Sequence, residues 1–219
     1  TEQKARFLHD EGDAWFNRNH SAQDAKVLPD SDRVLMQILE LPSLGEGTKV
    51  LEIGCGQGRR LAWLQENLGF SCAGIEPSAK AVQWAQAAGI SARQGTADQL
   101  PFEGGVFDLV IFGFCLYLCD PADLFRIASE ADRVLKSPGW LIINDFFVKA
   151  PMRREYHHAP GLYSHKMDYR TLFTWHPSYT CYNHDVRHHG EVSYTDDPQE
   201  WVAISLLRKD AGRYPEWTV

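Results

Sequence analysis

Lys49 to Gly58 reads K-V-L-E-I-G-C-G-Q-G. Val50, Leu51 and Ile53 make a short apolar strand that carries one carboxylate, Glu52. The chain then turns through Gly54, Cys55, Gly56 and Gly58 into Arg59-Arg60-Leu61-Ala62-Trp63-Leu64, a helical pattern. A strand that stops on alternate glycines and feeds a helix is a nucleotide-binding turn, because glycine admits positive φ and close approach of a ligand to the main chain.

Downstream, Phe70 to Ile75 is a second strand, ending on Glu76-Pro77-Ser78. Ser78 caps a helix over 79–88, which Gly89 stops. Ile90 to Gln94 is a third strand, followed by the polar turn Gly95-Thr96-Ala97-Asp98. Phe107 to Phe112 is a fourth strand, apolar throughout as a strand buried on both faces should be. A helix from Asp120-Pro121 to Val134 leads to a fifth strand over 140–147. Upstream, 1–20 is an amphipathic segment in two parts, broken at Gly12, and 31–41 is a helix behind a Ser31 or Asp32 cap. Beyond Phe147 a polar and aromatic stretch precedes two strand-like segments, 179–188 and 201–208, joined without a helix. They predict an antiparallel C-terminal hairpin on the sheet edge.

Strands alternating with helices predict an α/β fold with a doubly wound, mostly parallel, Rossmann-like sheet of seven strands. One domain is expected. It comprises an N-terminal helical lid over 1–45, a cofactor-binding core over 48–147, a substrate insert over 148–178, and the hairpin and tail over 179–219. Ligands of such sheets lie beyond the carboxyl ends of the strands, where the glycines, Glu76, Asp98, Gly113 and Phe114 gather.

Composition narrows the partners. Of 219 residues, 44% are hydrophobic and 23% charged, ordinary globular values. A net charge of −7, without a basic cluster, argues against nucleic acid. No apolar run reaches the ~18 residues of a membrane span, and no leader pattern is seen, so a cytoplasmic protein is expected. Five cysteines without a C-x-x-C pair read as reduced, mostly buried thiols. No metal site is expected: no predicted helix carries an H-x-x-x-H pattern, and His188 and His189, adjacent in a strand, point to opposite faces.

Which nucleotide the turn accepts depends on spacing. A dinucleotide turn is G-x-G-x-x-G, but Arg59 stands where its third glycine would fall. Glu52 would repel a pyrophosphate, yet suits the amino group of a cofactor that carries an amino acid. The successive stretches E-I-G-C-G-Q-G, I-E-P-S, G-T-A-D-Q-L-P-F, F-D-L-V and R-V-L-K-S-P-G-W-L-I-I resemble, in order and spacing, the motifs of class I S-adenosylmethionine-dependent methyltransferases of the small-molecule type 11/25 group. The resemblance covers residues 48–147. It implies that S-adenosylmethionine is held by Glu52, Gly54, Cys55, Gly56, Gly58, Glu76, Pro77, Ala97, Gly113 and Phe114. Either Thr96 or Asp98 reads the adenine amino group, and S-adenosylhomocysteine is the product. The N-terminal segment resembles the helices that lid the cofactor in small methyltransferases, bringing in Trp15.

The acceptor is less legible. After the fourth strand the chain has F-G-F-C-L-Y-L-C-D, not the Asn/Asp-Pro-Pro-Tyr pattern of base and glutamine methylation. A small polar acceptor, anionic or linked to a sugar or nucleotide, is therefore expected to take the methyl group on O or N. A hydroxyl acceptor needs a base, and histidine is the usual one. Seven of the nine histidines lie between His157 and His189, and His158 or His157 is the candidate base. Tyr117, Tyr163, Lys166, Asp168 and Tyr169 are candidate substrate contacts, with Arg18 and Asn19 able to hold a carboxylate or phosphate. The alternatives are an RNA or protein methyltransferase, and a non-catalytic S-adenosylmethionine sensor or scaffold.

Overall fold

The computed structural model describes residues 1–24, 28–191 and 193–213. Its centre is a seven-stranded sheet. In chain order the strands are β1 (Lys49–Ile53), β2 (Ser71–Glu76), β3 (Ser91–Gln94), β4 (Phe107–Gly113), β5 (Leu135–Phe146), β8 (Tyr179–His188) and β9 (Trp201–Lys209). The order across the sheet is β3-β2-β1-β4-β5-β9-β8. The first five run parallel, and β9 enters antiparallel between β5 and β8. The expected edge hairpin is thus β8–β9, with the later strand inside.

Alternation along the strands divides the core. Leu51, Val110, Phe112, Leu141 and Ile143 face α6 (Leu124–Val134) and α7 (Thr171–Thr174). Val50, Leu109, Ile111 and Ile142 face α3 (Arg33–Leu39), α4 (Arg59–Leu68) and α5 (Ala79–Ala87). This burial on both faces is why the central strands read as unbroken apolar runs. Asp32 caps α3, accepting from the backbone N–H groups of Val34 and Leu35 at 2.9 and 3.1 Å, and Ser78 caps α5 through Ala81 N–H at 3.0 Å.

Two expectations are corrected. Gly12 does not break the N-terminal helix. Residues Glu2–Arg6 (α1) pass through a π-helical turn, Phe7–Glu11, into α2 (Gly12–Asp24), and Gly12 keeps helical angles of −57° and −49°. Its missing side chain serves packing: a Cβ there would collide with the Phe7 carbonyl and lie 3.1 Å from Ser78 N and 3.3 Å from Pro77 C. The insert also has regular structure of its own, an antiparallel pair of β6 (Met152–Glu155) and β7 (Tyr163–Lys166) separate from the main sheet. All four residues of β6 are exposed, so no alternation betrayed it. Residues 214–219 of the expected tail lie outside the described residues.

Candidate active site

At the carboxyl end of β1 the chain enters its glycine turn. Gly54 and Gly58 have φ of 75° and 76°, and a Cβ at Gly54 would lie 2.6 Å from that of Cys115. Only glycine fits this left-handed, close-packed turn. It is stapled to β2, since Gly54 N–H donates to the Ile75 carbonyl at 2.8 Å. Cys55 is buried beneath it, and burial holds its thiol well above the usual range.

Glu76 ends β2 and is 8% exposed. Its two oxygens accept from Gly56 N–H and Ser78 N–H, each at 3.0 Å. Burial nevertheless pushes its carboxyl up to about 7 against those two bonds. Pro77 begins the turn into α5, and its carbonyl accepts from Gln94 Nε2 at 2.9 Å.

Glu52 is 3% exposed and is held by the Arg60 guanidinium, which also donates to Asp32 at 3.0 Å. Burial works against the charge on Arg60, but Asp32 and Glu52 outweigh it and raise its pKa. Two acids share one cation here. Burial pushes the Glu52 carboxyl up, and its Oε2 has no hydrogen-bond partner in the protein. Gly113, at the end of β4, lies so near that a Cβ would strike Glu52 Oε1.

On the loop after β3, Ala97 and Asp98 are buried and Thr96 is half-buried. Asp98 accepts from Lys4 Nζ of α1 at 2.5 Å. That lysine and the Thr96 hydroxyl outweigh burial and lower its carboxyl. Three more bonds seat the N-terminal segment. Gln3 Nε2 donates to the carbonyls of Leu118 and Tyr163 at 2.6 and 2.8 Å, and Ser78 Oγ donates to Asp13 Oδ1 at 2.6 Å.

Beyond β4, Phe114 takes a φ of 65°, the one non-glycine residue with positive φ among those described. The loop that follows is gripped by Asp145, a carboxyl 2% exposed, which accepts from Leu116 N–H at 2.7 Å and Phe146 N–H at 2.8 Å. Burial pushes Asp145 up to about 7. Trp15 Nε1 reaches down from α2 to the Tyr117 hydroxyl at 3.3 Å. The carboxyl ends of β1, β2 and β4 therefore form one edge beside α1 and α2. Glu76 stands on it, beside the glycine turn.

The family model described as a methyltransferase domain matches residues 51–143, the stretch that carries this edge. The fold over that stretch is the one seen in class I S-adenosylmethionine-dependent methyltransferases. It is 37% identical over 109 residues to an uncharacterized methyltransferase of Synechocystis sp., covering 49% of this chain and 51% of the relative. The chain thus spans about half the length of that curated relative. The fold resembles the Haloferax volcanii complex between the Trm112 methyltransferase activator and its methyltransferase partner, with a TM-score of 0.72, 19% identity, and coverage of 95% and 100% of the two chains. It also resembles a Burkholderia thailandensis 1,6-didemethyltoxoflavin-N1-methyltransferase, solved with 1,6-didemethyltoxoflavin and S-adenosylhomocysteine. There the TM-score is 0.67 with 17% identity, covering 94% and 88%.

The expected acceptor residues fall into two groups. Tyr117 and Lys166 stand by Phe114: Tyr117 is 5.3 Å from its ring, and Lys166 Nζ lies 3.8 Å from the centre of the neighbouring Phe146 ring. Others are engaged in the protein's own structure. Arg18 pairs with buried Glu11 and donates to the Tyr156 hydroxyl at 3.0 Å. Asn19 Nδ2 donates to the Trp15 carbonyl one helical turn back at 2.8 Å. Asp168 accepts from Arg170 Nε through both oxygens. Tyr169 is core, its hydroxyl donating to the His165 carbonyl at 2.6 Å. Tyr163 lies under the Arg153 guanidinium. His157 and His158 are exposed in the turn of the β6–β7 hairpin, their rings 3.8 Å apart, and His158 meets Tyr156 edge-on. Burial first, then the charges of Arg18 and His157, lower the His158 pKa.

Lys4, Asp145 and His189 were missed. An acid inside L-I-I-N-D-F-F was a visible signal for Asp145; Lys4 had none. His189 entered only as half of a rejected metal pair, yet its ring lies nearly parallel to Phe114 at 5.4 Å and 14°. Among the described residues no cluster of metal-ligating side chains and no membrane-length apolar helix occurs.

Proposed function

We propose that the protein transfers a methyl group from S-adenosylmethionine to an oxygen or nitrogen of a small polar acceptor. The observation that carries this reading is Glu76, a buried carboxyl at the end of β2 beside a left-handed glycine turn. Its two oxygens suit a ribose diol, a feature that dinucleotide sites share, and Arg59 in place of the third glycine of a dinucleotide turn favours S-adenosylmethionine. The domain match over 51–143 and the bound S-adenosylhomocysteine of the Burkholderia thailandensis enzyme support the same cofactor.

When bound, S-adenosylmethionine supplies an electrophilic methyl group on a sulfonium. Glu76 holds the ribose, the Gly54–Gly58 backbone and Glu52 take the amino-acid end, and Thr96, Ala97 and Asp98 border the adenine, with Pro77 and Gly113 flanking. The 1–45 segment is the lid and 148–178 the acceptor insert, with Trp15 closing over Tyr117. Excluding water and aligning the acceptor supply most of the effect, because a methyl displacement needs little acid-base help when the nucleophile is an amine. A hydroxyl acceptor would give its proton to His158 or His157.

Likeness to the partner of the Trm112 activator favours a second reading, a macromolecular acceptor approached with a partner protein. The net charge of −7 opposes it for RNA. Calorimetry with S-adenosylhomocysteine and with NAD separates the cofactors: micromolar binding of the first alone is expected, and tight binding of NAD alone overturns the assignment. Incubation of the protein with labelled S-adenosylmethionine and a metabolite pool should then yield a labelled small molecule. Label found only in RNA or protein fractions would favour the second reading.

A further inference from the structure

Beyond the carboxyl ends of β4 and β5 four rings lie together. Phe114 and Phe146 are 4.9 Å apart between centroids, and Tyr117 lies 5.3 and 5.1 Å from them. His189 lies near-parallel to Phe114 and 5.2 Å from Phe146. These rings do not belong to the aliphatic core. His189 is exposed, and Phe114 and Phe146 are half-buried. Phe114 holds its place with a φ of 65°, a conformation a bulky side chain adopts only at a cost and one that concentrates at functional sites. It directly follows Gly113, which abuts Glu52 and the glycine turn, so the rings stand next to the cofactor edge.

A group of aromatic rings can hold either a cation or a flat ligand, and Lys166 decides between them. Its Nζ is 3.8 Å from the Phe146 centroid and donates to the Gln199 carbonyl at 2.7 Å. Among the described residues no carboxylate lies within ion-pair distance of it. The cation position on Phe146 is therefore filled by the protein, and the Lys166 ammonium group repels a second cation at that ring and offers a donor to an anion. Of the other cations in and near the insert, Arg18 and Arg170 are paired with Glu11 and Asp168, while Arg154 reaches the Gln199 side chain at 3.4 Å and Arg153 lies over the Tyr163 ring.

We propose that this cluster is the acceptor subsite, and that it takes a planar aromatic or heteroaromatic compound bearing an anionic group. The flat face lies on Phe114 and His189, and the anion points to Lys166. The proposal rests on the methyl-transfer reading above and narrows its substrate class.

Saturation-transfer NMR on protein loaded with S-adenosylhomocysteine tests it with four probes: salicylate and 2-naphthoate (planar anions), cyclohexanecarboxylate (a puckered anion) and tetramethylammonium (a cation). Transfer to the two planar anions alone is expected. Lys166→Met should weaken salicylate about tenfold, the scale of one charged hydrogen bond, and Lys166→Arg should restore most of it. His189→Ala should weaken 2-naphthoate by a similar factor, on the scale of lost ring stacking. All three variants should bind S-adenosylhomocysteine within twofold of the parent. Equal binding of cyclohexanecarboxylate or tetramethylammonium, absence of planar-anion binding, or variants without effect would overturn the proposal. Failure of S-adenosylhomocysteine to bind would overturn the methyl-transfer reading itself.

Discussion

Lys4 Nζ, on the first helix, lies 2.5 Å from Asp98 Oδ2, 94 residues later on the loop after β3. The pair latches the N-terminal segment to the border of the proposed adenine site. Both groups are shifted toward their charged forms: the hydrogen bond to Asp98 raises Lys4, and Lys4 with Thr96 outweighs burial to lower Asp98. Lys4 is 30% exposed along its side chain, so the latch is weak, on the order of 1 kcal/mol. Lys4→Ala should therefore speed dissociation of S-adenosylhomocysteine about threefold to fivefold with little change in melting temperature. Salt should speed release from the parent protein and scarcely affect the variant. Stopped-flow displacement measures both, and identical off-rates would show that the segment does not gate exchange.

With Glu76 as the proposed ribose acceptor, cofactor affinity should depend on pH. In the free protein burial pushes its carboxyl up to about 7, so below that pH it carries a proton that ribose hydroxyls must displace to find an ionised acceptor. Affinity for S-adenosylhomocysteine should then tighten as pH rises from 6 to 8, approaching tenfold per unit at the acid end. Binding should release up to one proton, read as a buffer-dependent calorimetric enthalpy. Glu76→Gln should bind more weakly, about tenfold or more, and lose the pH dependence. A variant that keeps the slope would place the titrating group elsewhere, with Glu52 the next candidate.

How far the sequence discloses this molecule depends on the range of each interaction. The central strands, the glycine turn and the Ser78 and Asp32 caps rest on residues a few positions apart, and their pattern predicts them. The Lys4–Asp98 pair, the Gln3 bridge to Leu118 and Tyr163, and the Phe114–His189 stack join residues 75 to 160 positions apart and leave no local trace. Tyr169 misled for the opposite reason. A tyrosine in a polar stretch reads as a surface contact, but its ring fills the core and its hydroxyl is satisfied by a carbonyl four residues back.

Gly12 permits a test in which ordinary helix propensity has the wrong sign. Alanine in place of glycine inside a helix normally stabilises by about 1 kcal/mol. Here the added methyl would meet backbone on both sides, the Phe7 carbonyl within the π-helical turn and the Pro77–Ser78 peptide of the neighbouring loop. Neither can rotate away as a side chain would. Gly12→Ala should destabilise by about 1–3 kcal/mol, the usual range for overpacking, or lift the N-terminal segment from the Pro77 loop. Denaturant melts detect the first outcome, and faster proteolytic cleavage within residues 1–24 the second. A more stable variant with an unchanged cleavage pattern would show that the close approach at Gly12 is not maintained in solution.

Asp145 links the stability of the fold to the loop that presents Phe114 and Tyr117. Its carboxyl accepts from the N–H groups of Leu116 and Phe146, yet burial pushes it up to about 7 from an ordinary value near 3.8. Between those values the folded protein keeps a proton that the unfolded chain has released. This contribution to stability is complete below about pH 4 and is lost as pH rises through 7. Over that window it amounts to a few kcal/mol, on the order of 1.4 per unit of pH. Asp145→Asn cannot titrate, so the stability of the parent relative to the variant should fall steadily between pH 5 and 7.5; histidine and other carboxyl contributions cancel in the difference. Asp145→Ala, which cannot titrate either and leaves two backbone donors without an acceptor, should be less stable than Asp145→Asn by about 2–4 kcal/mol at every pH. Urea melts of the three proteins at four pH values decide the matter. A parent and Asn variant that run parallel would mean that Asp145 is ionised in the folded state, and that its bonds to Leu116 and Phe146 outweigh the cost of its burial.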